Sequence, residues 1–334
     1  MKRILITGGC GFLGQHLIYE LLKNKEYKIK VIDLRDRDCK VYDFKDKVEY
    51  VIGKDIVDYN EIKDEFKNID VVFHLAGLIS FWRGHKKQLF AVNELGAKNV
   101  LQACLENKVK KVIHISSAAA LGFKTKKEKP INEEYKFNWK RAKRKYYLLS
   151  KHNGELFALK YANKGLNCAI ANPGLMYGPG DMFNSPKLIK AIKEIRIPFN
   201  MPGEINLVDV RDVVKGLIKI MEKGGKGEKY LLTGYNYSFR KISEIVAKGV
   251  GVMPPKIKIT IPKIFHKPLY VIFFIIEKFS KKPLKLTSDM IDSSFTFKTF
   301  DNSKAKIELN WKPTIFFGKT VKDSIEWLNK NQLI

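Results

Sequence analysis

At 334 residues and 45% apolar content, the chain is long enough for one large α/β unit or for a nucleotide-binding domain with a smaller lobe, and its composition is that of neither a disordered nor a membrane-embedded protein. The four cysteines, Cys10, Cys39, Cys104 and Cys168, form no C-x-x-C pair; this argues against a disulfide framework or a metal site and for a reducing, cytoplasmic setting. A formal charge of +27 is compatible with a polyanionic partner, an acidic membrane surface, an anionic substrate, or lysine spread over a solvated surface.

Met1 is followed by two basic residues and a short apolar run that enters a Gly-rich turn, so no secretory signal is expected. Strand-like and helix-like segments then alternate: strand 3–7, helix 14–24, strand 27–34, strand 50–52, helix 59–66, strand 71–75, helix 90–107 and strand 111–116. Such alternation predicts right-handed crossovers and a parallel, doubly wound sheet of Rossmann type, whose ligands lie at the carboxyl ends of the strands. Past Gly122 the pattern is irregular up to a long helix at 143–164, a strand at 167–172, a Pro/Gly-rich loop at 173–181, and a strand and helix over 206–221. From about residue 238 the composition shifts toward Lys, Ile, Phe and Pro. The expected division is a doubly wound domain over 1–173, with 206–237 returning to it, and a smaller, mostly C-terminal substrate lobe built from 174–205 and 238–334.

Thr7-Gly8-Gly9-Cys10-Gly11-Phe12-Leu13-Gly14 follows the first strand and opens the first helix. Glycines here permit a tight turn, close approach of the backbone to a pyrophosphate, and packing of helix on strand, while the helix N-terminus offers unpaired N–H groups. Gly8, Gly11, Phe12, Leu13 and Gly14 are therefore expected cofactor contacts. Asp33 stands 19 positions beyond Gly14, where a carboxylate accepts the ribose hydroxyls and repels a 2′-phosphate, which favours NAD over NADP; Arg35 and Arg37 soften that rejection. Asp55 and Ile56 are expected to flank the adenine, Leu75, Ala76 and Gly77 to pass beneath the cofactor, and Pro173 to close the last strand beside it.

Tyr147 and Lys151 lie four apart in the long helix and project from one face. A neighbouring ammonium stabilises phenolate, as does a positive nicotinamide ring, and together they are expected to draw the tyrosine pKa from ~10 toward neutrality, making an acid/base at physiological pH. Ser117, ending the fifth strand, is the expected partner for the same substrate oxygen.

With these motifs the sequence resembles the extended short-chain dehydrogenases/reductases. The resemblance rests on the turn from Gly8 to Gly14, His74-Leu-Ala-Gly77, Asn93 with Gly96, Ser116-Ser117, Tyr147 with Lys151, the Pro173-Gly174 to Gly180 loop, Asn206 to Asp212, and Ser303-Lys304-Ala305 before Trp311, all in the family's order. Ile79-Ser-Phe-Trp82 and the phrase beginning at Asn206 look most like the dihydroflavonol-reductase and 3β-hydroxysteroid-dehydrogenase-like branch. The resemblance implies that Tyr147 is the general acid/base, that Lys151 binds the nicotinamide ribose and lowers the tyrosine pKa, and that Ser117 holds the substrate oxygen. It also implies a homodimer through the helices at 90–107 and around Tyr147. Asn172-Pro173 stands where nucleotide-sugar members carry Arg-Pro, which counts against a sugar-nucleotide substrate.

Residues 136–145 hold six basic residues and no acid, reading either as an electropositive rim for an anionic substrate or lipid, or as a solvated turn. Residues 256–285 hold eight lysines and one glutamate around the apolar run 269–276, a run far too short to span a bilayer. It fits a helix lying in a membrane interface, or one buried on all sides of the lobe. With Phe81, Trp82 and Asn172 as expected substrate contacts, the leading expectation is an oxidoreductase acting on a bulky, apolar alcohol or ketone. A nucleotide-sugar epimerase or dehydratase and a dinucleotide-sensing regulator are the alternatives. The basic runs lack interleaved aromatics and any recognised binding motif, so specific nucleic-acid binding is not expected.

Overall fold

The computed structural model describes residues 1–36, 41–44, 47–195, 200–254 and 259–334; Arg37, Cys39 and Lys256 lie outside the described residues. Seven strands form the large sheet: β1 (Lys2–Thr7), β2 (Tyr27–Asp33), β3 (Val48–Ile52), β4 (Val71–His74), β5 (Lys111–Ile115), β6 (Cys168–Pro173) and β9 (Lys229–Leu232), in the order β3-β2-β1-β4-β5-β6-β9. All six neighbour pairs are parallel. Because the sheet is covered on both faces, β4, β5 and β6 are buried at every position, and successive residues serve opposite layers. Ile4, Ile6, Phe73, Ile113 and Ala169 share one core layer with Leu17 and Ile18 of α1 (Phe12–Leu21). On the other face, Leu5, Val72, Val112 and Ile170 pack against α2 (Ala97–Glu106), through Val100 and Leu101, and against α3 (Tyr146–Asn163), through Ala158 and Tyr161. The strand order reverses between β1 and β4, so their carboxyl ends diverge into a crevice, the place where ligands of doubly wound sheets bind.

The helical run leading into α2 widens into a π turn over Ala91–Gly96, a local geometry often kept where a side chain must be aimed. Here it aims Asn93, whose amide accepts from Leu78 N at 2.8 Å and donates to Leu78 O at 2.9 Å and Ser150 Oγ at 3.0 Å.

A second sheet is centred on β8 (Glu204–Asp209), with β10 (Tyr235–Ser238) antiparallel along one edge and the short strands β7 (Leu175–Tyr177) and β11 (Phe297–Lys298) parallel along the other. The strand expected near 206 thus belongs to the small sheet, whereas the helix after it, α4 (Val210–Lys223), packs on α1 and β5 of the large one. The loop expected after Pro173 contains β7. Helices α5 (Phe239–Gly249) and α9 (Phe317–Lys330) bury Val246 and Val321 against the small sheet. Between them in the chain run α6 (His266–Phe279), α7 (Ser288–Ser294), which packs on it, and α8 (Ser303–Leu309). The last returns to the large sheet, where Ala305, Leu309 and Trp311 join the first core. Asp212 is the clasp between these parts: its buried carboxylate accepts from Thr314 N, Thr314 Oγ1 and Ile315 N, each at 2.8 Å.

Candidate active site

At Gly8 (φ +70°) the chain turns in the left-handed region, and a Cβ there would come within 2.7 Å of the Ala76 backbone. At Gly14 a Cβ would land 2.3 Å from Gly9 O. The turn, the start of α1 and the end of β4 are therefore packed backbone to backbone, which only glycine allows. Gly11 caps α1 without a side-chain hydrogen bond, and no acidic residue occupies the first turn. Phe12 and Leu13 follow it, with Leu13 buried. Asp33 closes β2 beside this turn, its two oxygens accepting from Cys10 N at 3.0 Å and Arg35 N at 3.4 Å. A cradle that side chains would fill, a helix N-terminus free of acid, and a carboxylate at the next strand end fit a dinucleotide.

The remaining expected contacts lie along the same crevice. Asn99 holds Ile56 O at 3.0 Å and Val57 O at 2.8 Å, while Asp55 Oδ1 accepts from Val57 N at 2.9 Å. Thr7 ties β1 to β4, its carbonyl accepting from Leu75 N at 3.0 Å and its hydroxyl from Ala76 N at 3.2 Å. At Gly77 a Cβ would stand 3.4 Å from Lys151 Nζ, so the small residue keeps the way to the lysine open. Pro173 ends β6, paired with Leu232.

On α3, Tyr147 and Lys151 do share one face, and Glu155 continues the stripe one turn further. Ser117, just past the end of β5, is close enough to Tyr147 for its hydroxyl to favour the phenolate. Lys151 Nζ donates to Ile115 O at 2.7 Å. Burial pushes the Tyr147 phenol above its ordinary value, against the lowering effect of the Ser117 hydrogen bond. Burial also drives Lys151 down to about 8, opposed by the Glu155 carboxylate. The lysine by itself therefore does not draw the tyrosine toward neutrality. The ammonium is turned to a carbonyl, and desolvation dominates both groups.

Asn172 is fully buried and faces no open surface. Its amide donates to Ser117 O at 3.0 Å and to Glu155 Oε2 at 2.8 Å, so it braces the Ser117 segment instead of contacting substrate. Glu155, in turn, pairs with Lys229 at 2.5 Å. Glu155 was missed in the sequence, although its spacing of four from Lys151 and eight from Tyr147 marks the same helix face. Phe81 reaches the site, its ring meeting Tyr147 edge-on with centroids 5.6 Å apart. Trp82 folds back onto its own loop, against His85 at 4.8 Å.

The basic stretch divides. Lys145 is buried between Asp289 and Asp292 at 2.6 and 2.5 Å and serves as an internal ion pair. Lys136, Lys140, Arg141, Lys143 and Arg144 are exposed. Arg83 bridges from the Phe81 loop, donating to Tyr146 Oη at 3.1 Å and lying 4.6 Å over the Phe274 ring.

A Rossmann-type sheet with a glycine cradle at its switch point and a Ser–Tyr–Lys group at the neighbouring strand end defines a nicotinamide-dependent enzyme. The chain belongs to the NAD dependent epimerase/dehydratase family, which it matches over residues 4–233, and within it to the extended short-chain dehydrogenases/reductases of the dihydroflavonol-reductase and 3β-hydroxysteroid-dehydrogenase-like branch. It is 27% identical to sterol demethylase protein B of Methylococcus capsulatus, over 99% of each chain. It is 25% identical to 3beta-hydroxysteroid-dehydrogenase/decarboxylase isoform 1 of Arabidopsis thaliana, over 96% of this chain and 78% of that one. Its fold is that of the dTDP-glucose 4,6-dehydratase DesIV from Streptomyces venezuelae, solved with NAD bound, at a TM-score of 0.77, 19% identity and coverage of 99% and 98%. The chain is accordingly an NAD-dependent enzyme. No helix among the described residues is long and apolar enough to cross a membrane.

Proposed function

We propose that the chain interconverts a secondary alcohol and a ketone on a bulky, apolar substrate of sterol, terpenoid or flavonoid type. The observation that carries this reading is the apolar ring set against the candidate acid/base: Phe81 meets Tyr147 edge-on with centroids 5.6 Å apart, while the Ser117 hydroxyl favours the phenolate. The relatives named for sterol and hydroxysteroid chemistry support the substrate class. Gly8, Gly11, Phe12, Leu13, Gly14 and Asp33 would hold NAD, with Asp55, Ile56, Leu75, Ala76, Gly77 and Pro173 along its length. When bound, NAD supplies the carbon that takes or gives the hydride.

Tyr147 exchanges the proton of the substrate oxygen, and Ser117 hydrogen-bonds that oxygen while Asn172 fixes the Ser117 backbone. Its raised pKa keeps the Tyr147 phenol protonated at neutral pH, the form a ketone reductase needs. Lys151, cationic below about pH 8, orients the ribose and favours proton release when the reaction runs toward the ketone. A homodimer through α2 and α3 belongs to the same reading, supported by the exposed Leu95 and Leu156.

The test is incubation of the purified protein with NAD⁺ and, separately, sterols, terpenoid alcohols and UDP- or GDP-sugars, following reduced nicotinamide absorbance. Net reduction with an apolar alcohol is expected. Sugar isomers formed without net reduction would overturn the reading in favour of an epimerase, and tight NAD binding without turnover in favour of a sensor.

A further inference from the structure

Helix α6 is inside out. Its one fully buried residue is a carboxylate, Glu277, which accepts from Ser288 N at 2.9 Å and from the Ser288 hydroxyl. Six of its eight exposed positions, Pro268, Val271, Ile272, Ile275, Ile276 and Phe279, recur at helical spacing and are apolar; the other two are Lys267 and Lys278. Exposure reaches 52% at Ile272 and 78% at Phe279, and Ile264 and Phe265 extend the stripe beyond the helix start at 78% and 52%. This corrects the all-round-buried alternative. Three turns of apolar surface on one face form a patch that soluble chains rarely leave uncovered.

The unpaired charges beside the patch have one sign, since Glu277 is turned inward to Ser288 and Asp289 and Asp292 are held by Lys145. Lys263, Lys267, Lys278, Lys281, Lys282 and Lys285 flank it, and none forms an ion pair among the described residues. The inner side of α6 continues into a second unpaired basic group: Arg144 lies 5.5 Å from the Phe274 ring, beside Lys140, Arg141 and Lys143. These residues, with Tyr270, Arg83, Ser288 and the Lys145–Asp289–Asp292 ion pairs, line a cavity of about 200 Å³, and Arg83 is two residues from the Phe81 ring on Tyr147. Helix α6 thus carries the apolar stripe on its outer side and borders the cavity on its inner side, where Arg83 links it to the loop that holds Phe81.

We propose that this face docks on an anionic lipid bilayer, with the apolar stripe of α6 in the acyl boundary, its lysines and the 140–144 cations at the headgroups, and the cleft beside Arg83 opened toward the lipid. An amphipathic helix with lysines at its polar margin meets the requirements of interfacial binding, in which buried apolar area and attraction to anionic lipid add. A second copy of the chain is a poor occupant, since pairing two such faces brings two unpaired lysine sets together, and the neighbouring acids Asp289 and Asp292 are already engaged by Lys145 and His266. The docking does not depend on the substrate assignment.

The experiment is flotation of the full chain with vesicles of equal phosphatidylglycerol and phosphatidylcholine at low salt, against phosphatidylcholine alone. The parental protein and Tyr147→Phe are expected to float equally with anionic vesicles, which separates docking from turnover. The double variant Ile272→Glu/Ile276→Glu, altered only at exposed positions, is expected to keep its melting temperature and to bind roughly tenfold or more weakly. Lys278→Glu/Lys282→Glu tests the cationic margin separately and is expected to lose selectivity for anionic vesicles. Absence of parental binding at low salt would overturn the proposal. So would a double variant that floats like the parental chain, or a parental dimer in sedimentation velocity that Ile272→Glu/Ile276→Glu dissociates.

Discussion

Helices α3 and α6 both violate the usual pattern of apolar inside and polar outside, in opposite directions. Helix α3 turns Lys151 and Glu155 into the interior, with Tyr147 beside them, and satisfies the two charges there: Ile115 the ammonium, Asn172 and Lys229 the carboxylate. Helix α6 puts one carboxylate inside and leaves its isoleucines in the open. The first violation is compensated within the fold, because the buried ammonium and the buried carboxylate each have a partner. The second is not, and what compensates it must come from outside the chain. Buried polarity with internal partners marks chemistry, whereas exposed apolarity with unpaired cations marks a surface to be covered.

The largest expected effect breaks the chemical side alone. Tyr147→Phe should lower turnover by about 10²–10⁴-fold, the range for removal of a general acid/base, with NAD affinity changed no more than a few-fold; steady-state rates and a cofactor titration check this. Full retained activity would reject Tyr147 as the acid/base. Gly14→Ala places a methyl 2.3 Å from the Gly9 carbonyl, where neither backbone can give way. It should cost about 1–3 kcal/mol in thermal unfolding, the range for overpacking, and abolish measurable NAD binding.

The pH profile probes the same helix more finely. Lys151 is cationic below about 8 and neutral above, so kcat/KM should fall as pH rises through that value. Lys151→Arg, cationic throughout, should remove this alkaline limb. Glu155→Gln removes the charge that holds the Lys151 pKa up, and should move the limb to lower pH.

The two glutamates sharpen the contrast. Glu277→Ala leaves Ser288 N and its hydroxyl buried without their acceptor and should cost about 2 kcal/mol without altering the pH limb. The smallest effect belongs to the outer face of α6: Ile272→Ser, at a half-exposed position, should change stability by less than about 0.5 kcal/mol in chemical denaturation. A large loss there would mean that the stripe is covered within the folded chain, and the contrast between the helices would fail.

Much of this was legible in the sequence because the rules involved are local. The alternation of segments over the first 116 residues marks a parallel doubly wound sheet, since each strand must be apolar on both faces and each crossover helix on one. The glycine turn can be read from Gly8 to Gly14 because left-handed φ and backbone-to-backbone packing exclude other residues. Tyr147 and Lys151 can be read because a spacing of four on a helix places two side chains together whatever surrounds them.

The tertiary structure decided what depends on partners distant in the chain. Asn172 is an interior brace because Glu155 and the Ser117 backbone close over it. Phe81 meets Tyr147 while the adjacent Trp82 turns away, a difference set by the course of one loop. Lys145 became an ion pair through Asp289 and Asp292, about 145 residues further on, while its basic neighbours stayed exposed. The tyrosine pKa rose because desolvation depends on what buries the phenol, which spacing along a helix does not encode. An apolar run reads the same whether it faces a core or solvent, so only the packing of α6 on α7 revealed which side of it remains uncovered. Local geometry is written in the order of residues, whereas burial is a property of everything folded around them.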